Sequence, residues 1–193
     1  MRIIGGNFRG RKLIALSGDD IRPTPDRVRE AVFNILGPWI RETRVLDLYA
    51  GTGALGLESL SRGAKTAVFV DAALSSCEII QKNIDLCKMA EKATLLHHDI
   101  MGHPFPRVLR EAPFDLIFMD PPYEKGYVET TLGKSDFIDL LAPKGIIVAE
   151  QSFKESLAEP VNGLDIYRQK KYSKTFISFL KKSIINKGSG TNE

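Results

Sequence analysis

Only two cysteines, Cys77 and Cys87, occur in 193 residues, so no disulfide framework is available. They fall ten positions apart on what reads as one helix, hence roughly 15 Å along its axis, too far to bridge each other. Neither has a CxxC partner, and the three histidines, His97, His98 and His103, form no recognisable ligand set with them. A metal centre is therefore not expected. No apolar run approaches the ~20 residues needed to cross a bilayer. The N-terminus has neither the apolar stretch nor the small-residue cleavage site of a signal peptide, which makes the cytoplasm the default location. There is no internal repeat and no sign of a second core.

What is present suits a packed domain. The chain is 43% hydrophobic and 26% charged, with a formal net charge of +3. That is ample apolar content for one core, or for one domain with a small appendage, and it excludes wholesale disorder. Charge is unevenly spread. Residues 1–44 carry nine Lys/Arg against five Asp/Glu, residues 45–164 eleven against seventeen, and residues 165–193 seven against two. An acidic middle flanked by basic ends fits a polyanion-binding surface if the ends meet in space, and equally fits cations that only solvate exposed strands.

Arg2–Gly6 and Arg9–Leu16 read as two short strands joined at Gly5-Gly6-Asn7. After a Ser17–Asp20 loop, Thr24 can cap a helix whose first residue is Pro25. Val28, Ala31, Val32, Ile35 and Leu36 then give one apolar face, with Arg27 and Arg29 off it, and Gly37-Pro38 ends the helix. From Arg44 the rhythm alternates. Strands are expected at Val45–Tyr49, Ala67–Val70, Ala93–His97, Phe114–Met119 and Gly145–Glu150. Helices are expected at Ala54–Arg62, about Ser75–Met89, and within Tyr127–Leu141. Nearly continuous apolar strands between helices imply a parallel sheet covered on both faces. Leu164–Lys171 and Thr175–Leu180, separated by three residues, must instead form an antiparallel hairpin. Residues 183–193 are polar and read as a disordered tail.

The run Val45-Leu46-Asp47-Leu48-Tyr49-Ala50-Gly51-Thr52-Gly53-Ala54-Leu55-Gly56 is a strand, a glycine turn and a helix start. It places Asp47, Tyr49, Ala50, Gly51, Thr52 and Gly53 at the strand end, where open α/β sheets bind ligands. Asp71 ends the next strand, twenty residues after Gly51, where a carboxylate can accept both hydroxyls of a ribose. The glycine spacing matches a dinucleotide fingerprint, which alone is a weak signal. A carboxylate at Asp47 repels a pyrophosphate but suits an ammonium-bearing ligand. S-adenosylmethionine, with its α-amino group, sulfonium and ribose diol, matches Asp47 and Asp71. A P-loop is excluded because no Lys-Ser/Thr follows the glycines. The bland alternatives are that Asp47 caps neighbouring amides and that Asp71 caps the next helix. Asp99, at the end of the third strand, could meet an adenine amine or merely cap its own turn.

Asp120-Pro121-Pro122-Tyr123 follows the most apolar strand and lies at the same sheet edge. Two prolines stiffen the loop and remove two N–H donors. An exocyclic base amine is a poor nucleophile because its lone pair is delocalised into the ring. Acceptance of its N–H protons at Asp120 and at a proline-pair carbonyl favours a pyramidal nitrogen, and Tyr123 can stack on an extruded base. The alternative is a rigid turn bearing a surface tyrosine.

These residues together resemble the class I S-adenosylmethionine-dependent methyltransferases that modify base amines. Met1-Arg-Ile-Ile-Gly-Gly-Asn-Phe-Arg-Gly-Arg-Lys-Leu, Arg22-Pro-Thr-Pro-Asp-Arg-Val-Arg-Glu-Ala-Val-Phe-Asn-Ile-Leu and Leu60-Ser-Arg-Gly-Ala-Lys are similar to the bacterial ribosomal RNA small subunit methyltransferase D family, guanine-N2 methyltransferases of 16S rRNA. The likeness runs from Met1 to about Lys181. It implies an α/β, Rossmann-like class I methyltransferase fold: a seven-stranded, mostly parallel sheet with one antiparallel strand, preceded by a β-hairpin and helix extension. The implied division is an RNA-facing extension at 1–43 and a methyltransferase domain at 44–182. It implies S-adenosylmethionine at Asp47, Gly51, Gly53, Asp71 and Asp99, catalysis at Asp120 to Tyr123, and RNA contact at Arg2, Arg9, Arg11, Lys12, Arg22, Arg27 and Arg29. It also implies a monomer acting on small-subunit ribosomal RNA, with ribosomal proteins as further partners. Pro25 departs from the threonine more usual in the family, and proline suits a first helical turn.

Rival readings remain. DNA adenine-N6 or cytosine-N4 methyltransferases share the tetrad logic, but only about forty residues lie outside the catalytic sheet, few for a major-groove reading domain. Glutamine methyltransferases of release factors usually carry Asn at the first tetrad position. An NAD-dependent oxidoreductase would explain the glycines but neither Asp47 nor the tetrad. A non-catalytic RNA-binding protein would have no use for Asp120-Pro121-Pro122-Tyr123.

Overall fold

Alternation along the central strands sends successive side chains to opposite faces of one sheet. Val45, Phe69, Leu116, Phe118 and Val148 enter one buried cluster, while Leu46, Leu48, Val70, Ile117, Met119 and Ile147 enter another. In this computed structural model, which describes residues 1–15, 26–155, 157 and 161–183, the sheet has seven strands. They are β1 (Arg44–Leu48), β2 (Thr66–Asp71), β3 (Ala93–His97), β4 (Phe114–Met119), β5 (Leu141–Ser152), β6 (Leu164–Tyr172) and β7 (Thr175–Lys182). Their order is β3-β2-β1-β4-β5-β7-β6. The pairs among β1 to β5 are parallel, and β7 is antiparallel to both β5 and β6, so β7 alone runs against the rest. This is the expected seven-stranded sheet with one antiparallel strand.

The helices are α1 (Asp26–Leu36), α2 (Ala54–Ser61), α3 (Leu74–Leu86), α4 (Tyr127–Leu132) and α5 (Phe137–Leu140). The expected helix within 127–141 is thus two short ones, separated at Gly133, and β5 begins at Leu141, four residues before Gly145. Helix α3 ends near Lys88, which takes a left-handed φ of 54°. Cys77 and Cys87 are free and buried. Among the described residues no helix is long and apolar enough to cross a membrane.

The N-terminal segment departs from the expected pair of strands. Arg2 and Lys12 form one isolated antiparallel bridge, and Gly6–Phe8 is a 3-10 turn. The reason is competition for donors. The Ile4 and Gly5 amides, which a ladder would use, instead donate to the two carboxylate oxygens of Glu58 on α2, at 2.7 and 2.8 Å. Glu58 is fully buried and also accepts from Arg62 Nε at 2.6 Å, and Arg62 lies over the Phe33 ring of α1. Asn83 on α3 makes a second clasp. Its Oδ1 accepts from Ile14 N at 2.7 Å, and its Nδ2 donates to the carbonyls of Ile14 and Thr52. Ile3 and Leu13 complete the attachment by joining the core of the main sheet.

The buried stripe of α1 is Val28, Arg29, Val32, Phe33 and Leu36, turned toward Phe33 from the expected face, so Ala31 and Ile35 are only half-buried. The helix gives way at Gly37, whose φ is 56°, to a 3-10 turn over Gly37–Ile40. Thr24 as cap, Pro25 as first helical residue, the Ser17–Asp20 loop and the tail from 184 onward lie outside the described residues.

Glu58→Ala removes the acceptor of two backbone donors and of one guanidinium. Breaking a buried pair on one side costs about 3–5 kcal/mol, so urea unfolding is expected to show a loss of that order. A loss below about 1 kcal/mol would contradict this attachment.

Candidate functional site

Strand β1 pairs with β2 on one side and β4 on the other, so the connections leaving its C-terminal end diverge to opposite faces. Crevices beyond strand ends at such points bind ligands in open α/β sheets. Here the crevice is a cavity of about 640 Å³, lined by residues that follow β1, β2, β3 and β4 together with Met1 and Arg29 from the N-terminal segment.

Strand alternation puts Asp47 on the α2 face of the sheet, where it is 1% exposed and its Oδ2 accepts from Gly56 N in the first turn of α2 at 2.9 Å. Burial pushes its carboxyl up to about 8, opposed by the Gly56 hydrogen bond and reinforced by Asp71. The residue therefore caps an amide and lines the cavity at once. Asp71 does likewise. Its Oδ2 accepts from Gly51 N at 2.8 Å and its Oδ1 from Ala73 N at 2.9 Å. Each oxygen keeps acceptor capacity for a hydroxyl.

The glycines divide in role. Gly51 lines the cavity with a φ of 58°, and a side chain there would meet only open space near Tyr49 O. Gly53, whose φ is 75°, faces Phe69 and Ile80 instead, and Gly56 faces the Phe69 ring. These two let α2 seat closely on β2, and neither lines the cavity. Tyr49, at a left-handed φ of 60°, turns its hydroxyl to Thr131 Oγ1 at 2.6 Å and stacks against Tyr127. Ala50 and Thr52 line the cavity. Asp99 also lines it and caps its own turn, accepting from Met101 N at 2.9 Å. The Gly102 and Met101 amides hold its carboxyl below the usual range.

The four residues of the Asp120 loop line the same cavity, directly beyond the end of β4. Pro121 is buried, Pro122 is exposed, and Tyr123 is 42% exposed. The Tyr123 hydroxyl donates to Glu150 Oε1 and lies 3.3 Å from Thr175 Oγ1. Burial first, then the charge and hydrogen bond of Glu150, raise the Tyr123 hydroxyl above its ordinary value, so it stays protonated near neutrality.

The cations separate. Arg2, Arg9, Arg11, Lys12 and Arg27 are exposed, and Arg22 lies outside the described residues. Arg29 corrects the expectation of a surface residue. It sits one helical turn before Phe33 on the buried stripe, is 1% exposed, and donates to the Arg2 carbonyl and to Asp26 Oδ1. Burial weakens its hold on its proton, with Asp26 and Glu58 opposing.

Glu150 was not singled out by sequence, though it sits near the end of a strand, the position that flags Asp71 and Asp99. The β6–β7 turn was missed as well. Thr175 opens β7 beside Tyr123, the Lys174 carbonyl accepts from Phe153 N at 3.0 Å, and Lys171 lies over the Phe153 ring at 5.1 Å. The basic balance of the last stretch was its only trace. Among the described residues no group of three or more His, Cys, Asp or Glu could hold a metal.

Residues 1–181 match the family model described as Conserved hypothetical protein 95. The chain belongs to this family. It is 36% identical over 182 residues to the Bacillus subtilis protein named "Putative rRNA methyltransferase YlbH", covering 94% of this chain and 99% of that one. It is 35% identical over 170 residues to the Escherichia coli "Ribosomal RNA small subunit methyltransferase D", covering 88% and 84%. The solved structure "Putative methyltransferase yhhF from Escherichia coli" superposes with a TM-score of 0.79 at 32% identity, covering 95% and 98%.

A carboxyl raised by folding makes the protein less stable as pH climbs from the unfolded value toward the folded one. For Asp47 that window runs from 3.8 to about 8. Thermal unfolding of the ligand-free protein is expected to fall across it, and Asp47→Asn, which keeps an acceptor for Gly56 N–H, is expected to flatten the decline. A variant with the wild-type slope would show that Asp47 is ionised throughout.

Proposed function

We propose that this chain is an S-adenosylmethionine-dependent methyltransferase of small-subunit ribosomal RNA, acting on the exocyclic N2 amine of a guanine. The observation that carries the reading is that the Gly51 turn and the Asp120 loop, at the ends of paired strands β1 and β4, line one cavity. Membership of a family whose relatives are named as rRNA methyltransferases supports it.

The residues present fit the cofactor. Gly51 leaves backbone open to the cavity, Asp71 retains lone pairs for a ribose diol, and Asp47 is a buried carboxyl beside the turn, suited to an ammonium. Asp99 is placed for an adenine amine, and Tyr49, Ala50 and Thr52 shape the surrounding wall. Gly53 acts through packing. When bound, S-adenosylmethionine supplies a methyl group on a sulfonium.

The chain's own residues handle the base. Asp120 and the carbonyls of the proline pair accept the N–H hydrogens of the amine and orient its lone pair. Asp120 can hold the proton the amine sheds. Tyr123, its hydroxyl tethered to Glu150 and therefore not a base, offers its ring for stacking. Most of the rate gain comes from positioning and electrostatics, with no covalent intermediate on the protein.

RNA approaches across residues 1–43, where Arg2, Arg9, Arg11, Lys12 and Arg27 are exposed, with Arg22 in the same stretch of sequence. The remaining methyl-transfer unit spans 44–182. The enzyme acts as a monomer in the cytoplasm, and with so small a reading surface, ribosomal proteins on the RNA help present the target.

Ribosomal RNA from a strain lacking the enzyme, incubated with the protein and labelled cofactor, should yield N2-methylguanosine by nucleoside mass spectrometry. Another modified base, or methylation of DNA in preference, would overturn the reading. Asp120→Ala is expected to cut turnover by at least about 10²-fold while S-adenosylhomocysteine affinity stays within about threefold, well under the ~1.4 kcal/mol of a tenfold change. Charge reversal at Arg9, Arg11 and Lys12 should weaken RNA binding and flatten its salt dependence. An unchanged salt slope would remove those residues from the RNA surface.

A further inference from the structure

Arg29 is the one ammonium- or guanidinium-bearing side chain, among the described residues, that lines a cavity otherwise edged by Asp47, Asp71, Asp99 and Asp120. It is 1% exposed, yet two of its three guanidinium nitrogens, Nε and Nη1, are buried with no hydrogen-bond partner. Its third, Nη2, is taken by the Arg2 carbonyl and by Asp26 at 3.0 Å. Asp26 is itself about half-exposed, so its charge is shared with water and offsets the buried cation only in part. Native structures rarely leave a guanidinium in this state, because each unmet buried donor on a charged group forfeits a strong interaction.

The chemistry of the cavity says what would meet it. If the bound molecule is S-adenosylmethionine, as the proposed function requires, it brings a sulfonium, an ammonium, a ribose diol and an adenine, all suited to carboxylates and backbone. It brings one anion, the α-carboxylate of its methionine portion. We propose that Arg29 is the carboxylate-binding residue of this site, reaching the amino-acid end of the cofactor from the N-terminal segment. The inference rests on the cofactor reading and deepens it. Arg29 thereby moves from the RNA surface to the cofactor, and the segment bearing it becomes part of the cofactor site.

Binding to the purified full-length protein, measured by calorimetry with two probes, tests this separately from turnover. S-adenosylhomocysteine carries the carboxylate, whereas 5′-methylthioadenosine has the nucleoside and the sulfur but no amino acid. Arg29→Met is expected to weaken S-adenosylhomocysteine by about tenfold to a hundredfold, the range for a charge-assisted hydrogen bond, and to leave 5′-methylthioadenosine within about twofold. Equal losses for both probes, or no loss for either, would overturn the assignment. So would weakened RNA binding with unchanged S-adenosylhomocysteine affinity, which would place Arg29 against the base. Should Arg29→Met fail to fold, Arg29→Lys and the wild-type protein with the α-carboxamide of S-adenosylhomocysteine decide the matter. Selective loss with either supports the proposal, and none in both rejects it. If the wild-type protein binds neither probe, the cofactor reading itself fails.

Discussion

Two carboxylates beneath one turn set the geometry of this site. Asp71 grips Gly51 N with one oxygen and Ala73 N with the other, and Asp47 holds Gly56 N at the first turn of α2. The turn between β1 and α2 is thereby fixed to β2, to the approach of α3 and to the strand from which it springs. A backbone loop so constrained cannot drift relative to the β4 loop, because β1 and β4 are hydrogen-bonded neighbours. The same carboxylates that build the turn also present lone pairs to the cavity, so structure and ligand binding draw on the same atoms. The cost appears at Asp47, whose ionisation is opposed by burial until a cation arrives.

The second constraint is the clasp that brings residues 1–15 onto this frame. Glu58 and Asn83 spend buried side chains on the backbone of the N-terminal segment rather than on one another. As a result Met1 reaches the cavity beside Thr52, and the amides that would have built a longer hairpin are already occupied. A basic segment facing nucleic acid and a wall of the cofactor cavity are thus one piece of chain. Binding on either side of it is felt at the same helix, α1.

Much of this was readable in the residues. Strand β4 and its Asp120 loop, the β1 glycine turn and the lone reversed strand follow from apolar runs, glycine spacing and a three-residue turn, all local signals. What was hidden depended on partners distant in sequence. The strands expected at Arg2–Gly6 and Arg9–Leu16 gave way because Glu58, more than fifty residues on, outcompetes the ladder. Arg29 looked like a surface cation because periodicity alone does not distinguish a buried stripe centred on Val32 from one turned toward Phe33. Gly53 and Gly56 matched a ligand fingerprint yet serve packing against Phe69, which no spacing rule reveals. Glu150 went unnoticed because its role exists only through Tyr123.

The central claim is that one cavity holds a sulfonium donor and a nucleobase side by side. The most direct measurement is a crystal structure with S-adenosylhomocysteine bound. The account predicts the ribose hydroxyls on Asp71 and the sulfur facing the Asp120–Pro121 corner, with room beyond it for a base under Tyr123. A ribose seated away from Asp71, or a sulfur walled off from Asp120 by intervening protein, would contradict it.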